Sequence, residues 1–311
     1  MNIYMDMGTS NTRLWLCDGE CVLSSEKGAF GAGTTLSHGK QVLHSNLREL
    51  LLKLLADAKI KENEVSYILA SGMASSELGI LEVPHLPAPA GLCDLVKGIQ
   101  RTCIEQVTGI PFLIVPGVKI TDADGNIADM MRGEETETFG IARLCSIPQK
   151  ALLVLPGSHN KAILLEDGKI ADFATALSGE LLSCIAADTI LKANVSFDFT
   201  LDNSALLEGS RYATAKGLGA ALFHVRVMGK NGASADTCSS FFFGAVLSED
   251  VKTIRSLDAD APVYVGGRQN LRAALAALLG DCTEIPDNVS SNATLHGLMT
   301  IDARNTETTS R

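Results

Sequence analysis

Asp6 stands just ahead of a small-residue turn, Gly8-Thr9-Ser10-Asn11, and that combination could do phosphate chemistry. Glycine lets backbone N–H groups come close to an anion, and the Thr9 and Ser10 hydroxyls add donors for phosphate oxygens. A carboxylate at the end of the preceding strand can hold hydrated Mg2+, which keeps several of its waters when bound. A turn-capping aspartate is the structural alternative for Asp6. A second turn of the same kind, Gly157-Ser158-His159-Asn160, lies about half the chain further on. Each turn is followed, at equal spacing, by an Asp-Gly pair, Asp18-Gly19 and Asp167-Gly168. One such turn is an ordinary hairpin; two, one opening each half, could grip a nucleotide triphosphate from both sides. Leu155 occupies the place of Asp6 in the second copy, so the pattern provides a single metal carboxylate.

Other residues could complete the chemistry. Met131-Arg132-Gly133-Glu134-Glu135-Thr136 opens a helix just before the second half. Acids in a first helical turn are stabilised by the helix dipole, which is the bland reading. The functional one makes Glu134 or Glu135 the general base that takes a proton from an acceptor hydroxyl. Arg132 could meet an anionic substrate or a neighbouring acid. Ser71-Gly72-Met73 follows a buried strand, and the proline-rich loop Pro84 to Pro89 carries His85, so these residues could shape a substrate pocket or simply stiffen the loop. His159 and Lys161 flank the second turn and could contact phosphate. Gly266-Gly267 sits between a strand and a helix, where a nucleoside could approach the backbone.

These residues need a scaffold. The pattern predicts strands over 3–7, 13–17 and 21–25, a helix over 42–58, a strand over 65–70, a helix over 94–107 and a strand over 112–115. A second unit follows, with strands over 152–155, 162–165 and 262–265 and helices over 179–193, 204–216, 236–256 and 270–279. A last helix over 291–303 precedes a polar tail from Asn305 to Arg311. The reading is α/β, a duplicated fold with a cleft between halves: 1–128 for substrate, Mg2+ and phosphate, 129–290 for ATP, and 291–311 packing back near the first domain. No Gly-x-x-x-x-Gly-Lys-Ser/Thr loop occurs, and Gly217-Leu218-Gly219 reads as a helix junction rather than a dinucleotide fingerprint.

Composition narrows the classes further. Of the 311 residues 46% are hydrophobic, enough for a core, and no run reaches the roughly 20 apolar residues of a membrane span. The formal charge of −10 argues against nucleic acid or an acidic membrane as partner. The N-terminus does not read as a signal peptide. Eight cysteines without a Cys-x-x-Cys pair fit buried free thiols in a reducing cytoplasm. A homo-oligomer is compatible with the sequence, which leaves the oligomeric state open.

Taken in order, the Asp6-to-Asn11 opening with Arg13, the Ala70-to-Met73 segment, Pro84 to Ala90, Val115-Pro116-Gly117, Met131 to Thr136, Leu155 to Lys161 and Leu177 to Leu181 resemble the 2-dehydro-3-deoxygalactonokinases. The resemblance implies two ribonuclease-H-like domains of the actin and hexokinase type with an interdomain cleft. It implies ATP-dependent phosphorylation of the C6 hydroxyl of 2-dehydro-3-deoxy-D-galactonate, a small sugar acid, in galactonate breakdown. By the same analogy Glu134 falls at the position of the catalytic acid, with Glu135 its neighbour, and Arg13 joins the phosphate contacts. Alternatives are a kinase for a related sugar acid such as 2-dehydro-3-deoxygluconate, or a non-catalytic ATP-binding sensor. Met7 and Ala162 replace the family's usual aromatics, which is expected to remove two rings near the site.

Overall fold

The computed structural model describes residues 1–309 and divides into two compact units: Met1–Ser146 with the chain from Asn292 onward, and Ile147–Ser291. In the first unit β1 (Asn2–Met7), β2 (Thr12–Asp18) and β3 (Cys21–Gly28) form an antiparallel meander. α1 (Gly33–His38) and α2 (Lys40–Ala58) then return the chain to β4 (Ile68–Gly72), which lies parallel to β1. The short β5 (Leu86–Pro87), β6 (Ala90–Gly91) and α3 (Leu92–Gly98) lead to β7 (Gln100–Ile104) and β8 (Thr108–Ile114). The main sheet runs β3-β2-β1-β4-β8-β7. A hairpin of β9 (Val118–Thr121) and β10 (Ile127–Met131) delivers the chain to α4 (Glu134–Leu144).

In the second unit β11 (Lys150–Leu155), β12 (Asn160–Glu166) and β13 (Lys169–Ala176) again form an antiparallel meander. Helices α5 (Ser178–Asp188), α6 (Asn203–Lys216), α7 (Leu218–Lys230) and α8 (Ala235–Leu257) precede β14 (Val263–Val265), parallel to β11. α9 (Gln269–Leu279), β15 (Thr283–Glu284) and α10 (Asp287–Thr309) complete the chain. The order β3-β2-β1-β4-β8 of the first unit recurs as β13-β12-β11-β14-β15 in the second. The echo of two turns is therefore an echo of two sheets.

Alternation along β1 explains how a central strand both builds a core and carries a reactive group. Ile3, Met5 and Met7 face a core completed by Phe112, Ile114 and the Leu47, Leu51 and Leu54 stripe of α2. Tyr4 and Asp6 point to the opposite face, where Tyr4 Oη donates to Asp302 Oδ2 of α10 at 2.7 Å. On that side α4 and α10 cross in backbone contact. A Cβ on Gly297 would lie 1.9 Å from Thr136 O, and one on Gly140 1.7 Å from Ala293 O. Gly297→Ala is thus expected to force the helix that carries Glu134 off its seat. A loss of about 1–3 kcal/mol, typical of overpacking, should appear as a lower urea midpoint.

Several sequence expectations need correction. The helix expected over 94–107 stops at Gly98, and Gln100–Ile104 becomes an edge strand paired with β8. Pairing partners outweigh local propensity there. The helix expected over 179–193 ends at Asp188 and gives way to a 3-10 turn over Ile190–Ala193. α10 continues through Asn305 to Thr309, aided by an Arg304–Glu307 ion pair at 2.9 Å, and the rest of the expected tail, Ser310 and Arg311, lies outside the described residues. The boundary expected between 128 and 129 falls after Ser146, so α4 belongs to the first unit. All eight cysteines are free, but only Cys17 and Cys238 are buried, while Cys21, Cys93, Cys103 and Cys184 are exposed. No helix among the described residues is long and apolar enough to cross a membrane.

Candidate active site

In the first unit Asp6 lies one residue from the end of β1, in register with Arg13 on β2 and Ser71 on β4. The Gly8-to-Asn11 turn closes through the Gly8 N–H on Asn11 O at 2.8 Å and is strapped from outside by Gly33 N–H on Thr9 O at 2.9 Å. Thr9, Ser10 and Asn11 are exposed at its tip. Gly72 ends β4 with φ +74, and Gly133 precedes α4 with φ +108, backbone that a side chain would strain. A Cβ on Gly133 would lie 3.2 Å from Gly72 Cα, and one on Gly72 would lie 3.4 Å from Asp6 Oδ1. The two glycines therefore let the N-terminus of α4 come down beside Asp6.

The two candidate bases then differ. Glu135 is fully buried, and both of its carboxylate oxygens accept the Gly133 N–H, at 2.9 and 2.8 Å. Glu134 is half-buried and accepts the Arg132 N–H at 3.1 Å. A third acid, Glu137, joins them one helical turn on. Burial pushes Asp6 above the ordinary carboxylate value; Arg13 opposes the rise and Glu134 adds to it. Glu135 is pushed up to about 8 by burial and by Glu134, and Glu137 to about 8 by burial, Glu134 and Asp6, with Arg13 pulling back. Such groups bind a proton more tightly in the folded chain than in the unfolded one, where glutamates titrate near 4.5. Their contribution to stability is full below about pH 4.5 and is lost as pH rises through about 8. Glu137→Gln is expected to flatten that fall, measured as the difference in urea midpoint between variant and parent across this range.

Arg132 does not project into open space. Its Nη1 donates to Ser75 O (2.6 Å), Ser75 Oγ (2.7 Å) and Val83 O (3.1 Å), and its Nη2 meets His85 Nδ1 at 3.3 Å. Because a guanidinium only donates, His85 Nδ1 must be the acceptor. The arginine is a strut that fixes the loop from Met73 to His85. Ser71 Oγ is buried and has no hydrogen-bond partner among the described residues.

In the second unit the Gly157-to-Asn160 turn is exposed at Ser158 and His159. His159 Nε2 lies 3.5 Å from Glu180 Oε2, both on the surface. Lys161 is separated from them: it is buried, donates to Thr175 Oγ1 at 2.5 Å and lies 5.9 Å above the Phe173 ring. Gly266 and Gly267 follow β14, and Gly267 O accepts from Arg272 Nη1 at 3.1 Å. Arg272 is itself anchored by Glu284 and Asp287, at 3.0 and 2.5 Å. A cavity of about 610 Å3 opens beside the turn, lined by Gly157, Ser158, Gly179, Phe243, Arg268 and Asn270. Asn270 Nδ2 donates to Phe197 O at 2.7 Å, and Phe197 packs edge-on against Phe243.

Sequence reasoning passed over Glu137, although its spacing from Glu134 puts both on one helical face. It also passed over the Phe197–Phe243–Asn270 wall, for which chain order holds no signal. The two replaced aromatics lie elsewhere than expected. Met7 is buried in the core of the first unit and Ala162 in that of the second, so both positions affect packing behind the turns.

Two sheets of one strand order, each opening on a small-residue turn, define the actin- and hexokinase-like ATPase fold. Structural neighbours share it. A Sinorhizobium meliloti protein assigned to the 2-dehydro-3-deoxygalactonokinases superposes with a TM-score of 0.80 at 23% identity, over 98% of this chain and 99% of that one. An N-acetylglucosamine kinase structure from Porphyromonas gingivalis gives 0.54 at 11%, over 98% and 99%. At these identities the likeness establishes the fold alone. In sequence, a Rhizobium meliloti (strain 1021) protein described as a 2-dehydro-3-deoxygalactonokinase is 32% identical over 62% of this chain and 58% of its own. The Escherichia coli (strain K12) 2-dehydro-3-deoxygalactonokinase is 30% identical over 62% and 59%. The chain thus spans about three fifths of the length of the curated relatives it matches. The family model of 2-keto-3-deoxy-galactonokinase matches residues 6–301, and the chain belongs to that family.

Proposed function

We propose that this chain transfers the terminal phosphoryl group of ATP to the C6 hydroxyl of 2-dehydro-3-deoxy-D-galactonate, as a step of galactonate breakdown. The observation that carries the reading is the meeting of Asp6, Glu134 and a phosphate-type turn at the end of β1, with a second such turn at the matching place in the repeated sheet. The family and the curated relatives supply the substrate.

Each group then has a role. The turns at Gly8–Asn11 and Gly157–Asn160 present backbone and hydroxyl donors to phosphate oxygens, with Arg13 adding positive charge and His159 standing at the tip of the second turn. The cavity beside the second turn takes the nucleoside, with Gly266 and Gly267 on the neighbouring backbone and the Phe243–Asn270 wall at its side. Asp6 is a hard oxygen donor whose charge Glu134 disfavours, a setting that suits hydrated Mg2+, which keeps most of its waters and needs few protein ligands. Asp6 would hold the ion, which when bound balances phosphate charge.

Glu134 takes the proton from the acceptor hydroxyl as the bond to phosphorus forms. Glu135 is occupied as the internal partner of Gly133 N–H, which is why its neighbour is the better base. Ser71 Oγ offers the substrate an unused hydroxyl beside Asp6, and Gly72 and Met73 continue that wall. Arg132 acts on the substrate through the loop it braces, with His85 Nδ1 among its acceptors.

The test is ADP release from Mg-ATP with 2-dehydro-3-deoxy-D-galactonate and with its gluconate epimer as acceptors. Selective stimulation by the galactonate form is the expected result. Preference for the epimer would keep the kinase and move the substrate, and silence with both would overturn the reading.

A further inference from the structure

The second turn is held by a residue far from it in sequence. Asp250, near the middle of α8, is buried at 4% exposure, and each of its oxygens has one neutral donor. Asn160 Nδ2 donates to Oδ2 at 2.6 Å, and Ser178 Oγ donates to Oδ1 at 2.5 Å. Each donor belongs to one wall of the phosphate site. Asn160 closes the turn, its Oδ1 accepting the Gly157 N–H at 3.0 Å. Ser178 begins α5, whose Gly179 lies so close to Gly157 that a Cβ there would fall 1.8 Å from Gly157 O. Glu180 N–H, one residue on, donates to Ser158 O at 2.9 Å.

The first turn shows what is unusual here. Gly8 N–H is accepted at the equivalent position by a backbone carbonyl, that of Asn11. Gly157 N–H is accepted instead by a side-chain amide, which could rotate by half a turn and offer a donor where an acceptor is needed. A carboxylate at Oδ2 accepts only, so it forces the Asn160 amide to turn its NH2 inward and its oxygen toward Gly157. Burial raises the Asp250 pKa, and the Ser178 and Asn160 bonds oppose that rise. An apolar residue of similar size would pack in the same space without that cost.

We propose that Asp250 is the positioning residue of the second phosphate turn, fixing the amide of Asn160 and the start of α5 so that the site binds the nucleotide's phosphates. The inference rests on the nucleotide reading above. Asp250→Leu removes both bonds, whereas Asp250→Asn keeps an acceptor for Asn160 and can donate to Ser178 Oγ. Nucleotide affinity is measured directly by calorimetry with Mg-ATP, without the sugar acid, and the KM values for ATP and sugar acid are taken alongside.

D250L is expected to weaken Mg-ATP binding about tenfold or more, the scale of one lost charge-assisted hydrogen bond. D250N should stay within about threefold of the parent, and the sugar-acid KM should hold. Asn160→Ala reads the same link from its other end and should match D250L, which covers the case in which D250L does not fold. If the parent protein does not bind Mg-ATP, the nucleotide reading fails and this inference falls with it. If the parent binds and neither D250L nor N160A binds more weakly, the inference alone is overturned. Equal weakening toward ATP and sugar acid would also overturn it, because general loosening, not turn positioning, would be the cause.

Discussion

Glu134→Gln is expected to lower kcat for phosphoryl transfer by about a hundredfold to ten-thousandfold, the range a positioned general base supplies. The substitution keeps size and the hydrogen bond from Arg132 N–H while removing the basic oxygen. Mg-ATP binding should therefore change little, and the loss should fall on kcat. Glu135→Gln is the informative control. Its carboxyl is wholly buried against Gly133 N–H and burial already favours its protonated form, so the neutral amide should hold the unfolding midpoint near the parent's and affect turnover less than Glu134→Gln. Steady-state ADP release for the two variants beside their urea curves checks the pair. Near-normal turnover in E134Q with a collapse in E135Q would reverse the assignment.

Asp6→Asn is the second large effect. Removing one preorganised charged group from a reacting centre costs on the order of a hundredfold to a thousandfold in kcat. For this residue the loss should come with a higher Mg2+ requirement, read by titrating the ion at saturating ATP. Stability should move the other way. Burial and Glu134 already disfavour the ionised Asp6, so a neutral amide there relieves repulsion in the folded chain. A variant that is slower yet no less stable at about pH 8 is the signature of a carboxylate kept for chemistry rather than folding. An Asp6→Asn protein with full activity would remove Asp6 from the metal role.

Much of this was legible because it is local. Gly8-Thr9-Ser10-Asn11 and Gly157-Ser158-His159-Asn160 are contiguous, their Asp-Gly closures fall at equal spacing, and the strands around them alternate or run apolar as hairpins must. The leucine stripe of α2 is likewise a single-helix pattern. Errors clustered where a partner decides. Gln100–Ile104 became a strand through β8, and Lys161, beside the turn in sequence, points into the unit and bonds Thr175. Arg132 sits in a motif of charged residues, yet its partners are the carbonyls of Ser75 and Val83.

By itself, then, the sequence determined the two phosphate-type turns, the acid ahead of the first, the acids opening α4 and the duplicated plan that repeats a hairpin. These follow from bond geometry and periodicities of two and 3.6 residues, which neighbours along the chain suffice to express. Tertiary structure alone decided that Glu135 is the acid buried against the Gly133 N–H, that Glu137 joins Asp6, and that Asp250 clamps a turn ninety residues away. Those outcomes depend on burial, on close passage at Gly72, Gly133 and Gly179, and on where buried donors find acceptors. Such conditions are set by what packs against a residue, and the order of the chain does not contain them.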